Sequence, residues 1–499
     1  MSSIFTRNLK SKFTEEFIND VASANSNYYI CFGKVDSWDD DQNPPLANGS
    51  VFASFYDVQK NILYGKKVSV SDIAYMAKNI QYVPGTIYDY YDDKDPDLYN
   101  KNFYVINQYG RVYKCLFNNY GAPSTTVPNI TSTIGDFTTA DGYIWKYLFY
   151  VPTTFQKKFS TDEYFAANTD PSVQFHSEPG AIHVIVVDSS ANGYIQTSGY
   201  VQEYISPTLV RIDTGALPVN GAYTNSAFYV VYGTGAGSIL KISNYVANEQ
   251  GNFVYTTDNI PQLDTTSFYS IVPYVTINGD GNGCAAIPVV NNFTSYIDSI
   301  QVINRGSNFS YADISVEANS VFVTGNTVLH AIISPPGGHG SNVVKELGCD
   351  TTGMSVFVAN TDGFPSWVTY RQLSLLYNPI SASNNSIFND SGFKNYYTMN
   401  VTINNLPFQP FETITGFLSG ATGIVLYCDD GQMFVYNVQG TFAAFELVTG
   451  TYSGYTALIS TIIPPQLTIN TGEIFYYRNI EPITRDPFSS EQIKLFFKV

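Results

Sequence analysis

Charge is scarce in this chain: Asp, Glu, Lys and Arg make up 13% of its 499 residues, and histidine occurs 4 times. Few groups are therefore free for proton transfer or metal ligation, so a structural or interaction role stands ahead of an enzymatic one. His176, His183, His330 and His339 never fall at HxH or HxxxH spacing, the local patterns that place two imidazoles on one metal. The 5 cysteines, Cys31, Cys115, Cys284, Cys349 and Cys428, are odd in number and widely spaced, which excludes a CxxC redox pair or a zinc knuckle and fits buried free thiols in a reducing compartment. No GxSxG nucleophile elbow occurs. Apolar runs are short as well: none approaches the roughly 18 residues of a membrane span, and the start, MSSIFTRNLKSKF, has no apolar segment behind its basic residues. A chain made in the cytoplasm, without a membrane-spanning segment or a signal peptide, is expected. Basic residues number 25 against 42 acidic ones, and the formal charge of -17 repels a phosphate backbone, so direct nucleic-acid binding is not expected.

What the chain has instead is aromatic area, with 40 Tyr and 34 Phe. Runs of Val, Ile, Thr, Tyr and Phe broken by Gly, Asn, Pro and Asp predict many short strands. The expected fold is mainly β: a β-sandwich-like core with inserted small β domains and a few short helices. A chain of this length exceeds one growing core, and the reading divides it into residues 1–180 completed by 471–499, an inserted region 181–350, and a β region 351–470. Leu9, Phe13, Phe17 and Val21 recur every four residues and predict a helix over residues 8–24 with one apolar face. Ile73, Met76 and Ala77 behind a Ser69 or Ser71 cap predict a second, short helix over residues 71–79. Residues 103–117 read as a hairpin turning at 108–110. The alternation Ile493, Leu495, Phe497 predicts a closing strand.

Two internal repeats stand out. Ile182, Ile185, Val187 and Tyr194 match Ile297, Ile300, Val302 and Phe309 at a spacing of 115, consistent with a duplicated hairpin unit or with the easy recurrence of Ile and Val in β chains. Phe411, Glu412, Thr415, Gly416, Ser419 and Gly420 recur 34 positions later as Phe445, Glu446, Thr449, Gly450, Ser453 and Gly454. The second repeat predicts a small paired β module in which glycines take the turns and Phe fills the core.

Candidate chemistry is sparse. Asp89, Asp92, Asp93, Asp95 and Asp97 lack the glycine and terminal Glu of a helix-loop-helix calcium loop, and a solvated acidic loop is expected. GTGAG at residues 233–237 is not followed by a helical pattern, which argues against a phosphate loop. Trp38, beside an acidic turn, is read as an anchor against a neighbour. His339 interrupts the glycine-rich string PPGGHG, which would present it at a contact surface or let it cap carbonyls. On the run around Trp145, with Tyr143, Tyr147 and Phe149, one set of side chains is expected to be buried and the other open to an adjacent sheet or subunit.

Several aromatic-rich strings occur in an order that resembles the dimeric outer-wedge protein of the baseplate of contractile-tailed, T4-like bacteriophages. They are the first helix leading into Tyr29, Phe32, Gly33 and Trp38 and then Pro44 and Pro45; Phe103 with Val112, Tyr113, Lys114 and Cys115; DGYIWKYLF at 141–149 with Pro152; and GEIFYYRNIEPI before EQIKLFF at the end. The central string SPPGGHGSNVVKELG is similar to what larger marine relatives carry. The resemblance implies a virion structural subunit of the tail baseplate, assembled in the host cytoplasm. Its implied partners are a second copy, other baseplate wedge proteins and tail-fibre attachment components, with no catalytic residues, metal or cofactor. The contact residues expected are then Trp38, Tyr143, Trp145, Tyr147, Phe149 and His339. The alternative is a secreted or phage-borne carbohydrate-active β protein, a polysaccharide depolymerase, favoured by the aromatic and Asp content.

Overall fold

A computed structural model describes residues 6–319, 321–365, 367–403, 408–429, 431–486, 488 and 490–498. The chain is mainly β with only a few short helices, and it divides into two units: Met1–Met76 with Asp350–Val499, and Ala77–Cys349. The chain ends fold together, but the boundary is not the expected one. Residues 77–180 belong with the central region, and 351–470 with the termini. Which distant strand a segment pairs with sets this division, and local texture does not encode that.

In the terminal unit, Tyr28–Gly33 (YYICFG) is buried along its whole length because it lies in the middle of a sheet covered on both faces. The antiparallel order is Gly392–Lys394, Ile62–Lys67, Tyr28–Gly33, Thr369–Tyr377, Glu473–Thr484. One face packs Tyr28, Ile30 and Phe32 against Met354, Val356 and Val358 of a second sheet, in which Thr351–Val358 pairs with the closing strand Glu491–Lys498. The other face buries Tyr29 and Cys31 under Val58 of the helix Phe52–Asn61, an element the sequence pattern did not reveal.

Two helix expectations are modified. Arg7–Ala22 is helical with Thr6 as its N-cap, and Val21 is buried, but Leu9 and Phe13 are substantially exposed while Ser11 and Thr14 are buried. The predicted helix at 71–79 is instead the strand Ile73–Lys78 after a single turn, Val70–Asp72. Ser69 does cap, with Asp72 accepting its N–H at 2.9 Å. Cross-strand pairing of Ile73–Met76 with Thr351–Met354 overrides the local helical spacing.

The 34-residue repeat supplies five strands of a closed six-stranded barrel, Tyr397–Ile403, Gln432–Gln439, Thr422–Asp429, Thr413–Gly416, Leu447–Gly450, Thr456–Ile463, of which Tyr397–Ile403 precedes both copies. Its two copies are related by a local two-fold axis. Thr415 lies directly opposite its own counterpart, Thr449. Phe417 N–H donates to Leu447 O at 2.8 Å, and the equivalent Thr451 N–H donates to Thr413 O at 2.9 Å. The expectation that the repeated Phe fills the core is wrong: Phe411 and Phe445 are exposed with left-handed backbones, φ 66° and 67°, whereas the neighbouring Glu412 and Glu446 are buried. Met399, Ile414, Val425, Met433, Val435, Val448 and Ile459 fill the barrel.

In the central unit the hairpin expected at 103–117 is present as Tyr104–Ile106 and Arg111–Phe117. Asn107 Oδ1 accepts from the Tyr109 and Arg111 N–H groups, and Gly110 takes φ 74° in the turn. Arg111–Phe117 then pairs with Ile144–Tyr150. A larger sheet runs Thr197–Ser206, Leu209–Ile212, Gly251–Thr256, Ile239–Asn248, Ser226–Tyr232, Phe268–Gly279, Ala312–Glu317, and pairing of Thr197–Ser206 with Phe268–Gly279 closes its first six strands into a ring. GTGAG is the turn between Ser226–Tyr232 and Ile239–Asn248, and no helix follows it.

The 115-residue repeat is also reciprocal. Gly193 and Tyr194 N–H groups donate to Ser295 O, while their counterparts Asn308 and Phe309 donate to Pro179 O and Gly180 O, at 2.8–3.1 Å. Gly180 and Ser295 share a left-handed backbone, and so do Gly193 and Asn308. Ile182, Ile185, Val187, Ile300, Val302 and Phe309 pack into one core.

Candidate functional site

The strand Ile144–Tyr150 is central in its sheet and covered on both faces. Tyr143, Trp145, Tyr147 and Phe149 are buried on one face and Lys146 and Leu148 on the other, so the face expected to stay open is closed within this unit. Tyr143 stacks on Trp145 with centroids 5.5 Å apart, and its hydroxyl donates to Ala122 O at 2.6 Å. Trp38 is half-buried in the terminal unit: its indole N–H donates to Ile480 O at 3.2 Å, and Lys34 Nζ lies 5.2 Å from the ring centre. The acidic turn beside it is tied down by Arg371, whose Nε and Nη2 both donate to Asp41 at 2.8 Å.

His339 is not at a contact surface. Gly337, Gly338 and Gly340 around it take φ near 90°, and a Cβ at Gly338 or Gly340 would run into Glu178 backbone or the Val173 side chain. The tight loop turns the imidazole inward against Lys114, whose Nζ donates to His339 Nδ1 at 3.1 Å and pairs with the Glu346 carboxylate. Glu346 Oε1 also accepts from Gly340 N–H at 2.7 Å. Tyr91 stacks edge-on to His339 at 4.9 Å, and its ring lies 4.7 Å from the ammonium.

The cluster extends. His183 lies 5.0 Å from His339, centroid to centroid, and hydrogen-bonds Asp136 through Nδ1 at 3.1 Å; Asp136 in turn pairs with Arg305. Lys146 is directly cross-strand from Lys114 and donates to Gly135 O at 2.8 Å and Thr133 O at 3.2 Å. Two lysines side by side inside an aromatic sheet repel one another, so Glu346, the two carbonyls and a neutral His339 are what hold them. Lys114, Glu346 and His339 are 0%, 6% and 2% exposed. The sequence did carry a signal: one Lys in the middle of each of two aromatic strand strings, RVYKCLF and IWKYLFY.

Burial, reinforced by Lys114, His183, Lys146 and Arg305, pushes His339 well below the ordinary imidazole value. Burial likewise lowers His183, against the opposing pull of Asp136. The linkage sign follows: below about pH 6.5 the unfolded chain takes up protons that the folded chain refuses, so stability falls on acidification. Denaturant midpoints of the whole chain are expected to drop between pH 7.5 and 5.5, and His339→Gln should flatten that slope. An unchanged slope would show that His339 does not carry it.

The acidic string at 89–97 is held by contacts both near and far along the chain. Asp93 accepts from Ile333 N–H at 2.9 Å, Asp95 pairs with Lys101 at 2.5 Å, and Asp89 accepts from Asn102 N–H at 3.0 Å. Among the described residues no group of three or more His, Cys, Asp or Glu is placed to hold a metal ion, and no helix is long and apolar enough to cross a membrane.

The surface that sequence reading missed is on the barrel, around its two turns. Glu412 accepts from Tyr452 N–H at 3.2 Å, Ser453 N–H at 3.0 Å and Ser453 Oγ at 2.9 Å. Glu446 accepts from Leu418 N–H at 3.1 Å, Ser419 N–H at 3.0 Å and Ser419 Oγ at 2.9 Å. Each copy's carboxylate therefore holds the other copy's turn, and the side chains beside it are turned outward. Leu418 is 70% exposed, Phe445 73%, Phe417 80% and Tyr452 85%. The result is two exposed apolar clusters related by the local axis, Phe417, Leu418 and Phe445 at one end of the Thr413–Gly416 and Leu447–Gly450 pair and Phe411 and Tyr452 at the other. No family model matches this chain, and no curated protein matches it.

Proposed function

We propose that this chain is a structural subunit of a bacteriophage tail baseplate wedge, acting through homodimeric and heteromeric contacts and needing neither metal nor organic cofactor. The observation that carries the proposal is the barrel surface around the two turns, where large apolar groups face solvent while carboxylates beside them face inward. An exposed apolar surface of this kind is a mark of a protein contact. Its two-fold arrangement suits an isologous pairing, in which each half meets the opposite half of a second copy. The aromatic-rich strings that carry the resemblance support the same reading. Other wedge proteins and tail-fibre attachment components are the remaining partners, and the tail baseplate is the place of action.

Sedimentation of the purified chain is expected to give twice its 55.2 kDa mass. Leu418→Ser combined with Phe445→Ser should shift the dimer toward monomer by about tenfold or more in Kd with unchanged circular dichroism, since both side chains are exposed. Cryo-EM of intact tails should place copies in the baseplate. A monomer at all concentrations together with no baseplate density, or robust release of reducing ends from polysaccharides, would overturn the proposal.

A further inference from the structure

A second feature of the terminal unit has a different chemistry. A cavity of about 480 Å³ opens between the helix Phe52–Asn61, the barrel wall and the connector 465–471. Its floor is apolar, with Ile62, Leu376 and Leu467. The polar side chains that line it include five that bear on ligand binding: Tyr56, Asp57 and Lys60 from the helix, and Tyr397 and Asn437 from the barrel. Among the described residues none of these five side chains has a hydrogen bond or ion pair within the chain, although Asp57 and Lys60 stand one helical turn apart.

The lining selects a ligand class. An anion meets one ammonium offset by one carboxylate, on a chain of formal charge -17. An apolar ligand would strip water from Asp57 and Lys60 with nothing in return. A divalent cation would find a single carboxylate. A neutral polyhydroxylated molecule fits: the carboxylate and ammonium supply an acceptor and donors, the Asn437 amide supplies both, and the Tyr56 ring, 59% exposed, offers a face for sugar C–H groups. The volume lies within the range of small-molecule sites. Asp57 is the one acid lining the cavity, so the paired carboxylates of glycoside cleavage are missing from it.

We propose that this groove binds a short neutral oligosaccharide without cleaving it. The test uses the full chain and saturation-transfer NMR against linear oligomers of glucose, galactose, mannose and N-acetylglucosamine at millimolar concentration. At least one oligomer is expected to bind, with affinity reduced about tenfold by Asp57→Ala or Tyr56→Ala, each removing an unpartnered contact. Asn437→Gly removes the amide where φ of 49° suits glycine, and should weaken binding similarly without loss of fold. Leu418→Ser on the barrel surface should leave sugar binding intact, which separates this site from self-association. No binding across the set, or binding unchanged in all three groove variants, would overturn the proposal. So would groove variants that weaken the dimer while no sugar binds, because the groove would then belong to a protein contact.

Discussion

Lys114→Met is expected to destabilise the central unit by about 3–5 kcal/mol, the cost of leaving a buried carboxylate without its cation. Lys114 Nζ is enclosed by Glu346, His339 and Tyr91, so its removal strands Glu346 with two N–H donors, from Gly340 and Asn342, and takes away the donor to His339 Nδ1. Lys114→Met with Glu346→Gln should recover most of the loss, because the stranded charge goes with the ammonium. Trp145 reports on this unit alone once Trp38 and Trp367, which lie in the terminal unit, are replaced by Phe. Denaturant unfolding followed by its fluorescence gives the comparison. A double variant as unstable as the single one would mean that lost packing, and not the unpaired charge, dominates.

The second large effect is expected at the barrel. Glu446→Ala removes the acceptor of the Ala443, Leu418 and Ser419 N–H groups and of Ser419 Oγ, and should cost about 3 kcal/mol, since buried donors without partners lose about 1–3 kcal/mol each. Glu412→Ala, which breaks the equivalent set, should cost about as much. Burial opposes ionisation of Glu446, but hydrogen bonds from Ala443, Ser419 and Leu418 outweigh it and hold the carboxyl below its ordinary value. Stability from this group is therefore fully present above the unfolded value of about 4.3 and is lost as pH falls below it. Unfolding of the barrel followed by hydrogen exchange should show its midpoint falling below about pH 4, with a shallower fall in Glu446→Gln. Equal acid sensitivity in wild type and Glu446→Gln would remove Glu446 as the cause.

Much of the β architecture was legible, because strand alternation and turn residues act locally. The 103–117 hairpin and the closing strand Glu491–Lys498 are of this kind. The tandem repeat was legible as a module, yet its inside and outside were inverted. Hydrophobicity predicts Phe inward and Glu outward, but the paired turns present amide donors that only a buried acceptor satisfies, and that requirement sets the orientation of Glu412 and Glu446. The segment 71–79 failed for another reason: spacing compatible with a helix is also compatible with a strand when a partner such as Thr351–Val358 supplies the ladder. The site was the least legible part. His339 was singled out for its glycine loop, but its partner Lys114 lies 225 residues away, and nothing in the local pattern joins them.

The exchange of carboxylates across the barrel axis has a consequence for how such a module is inherited. One 34-residue copy cannot satisfy its own turn: the Glu that closes it belongs to the other copy. Two copies on one chain behave as a homodimer made permanent, the linker holding each half at high effective concentration for its mate. A chain that lost one copy would not keep half a barrel; it would carry an open turn and an unpaired Glu, complementary to the same features on another chain. Loss of one copy would therefore turn a fold closed within one chain into one closed by exchange between two.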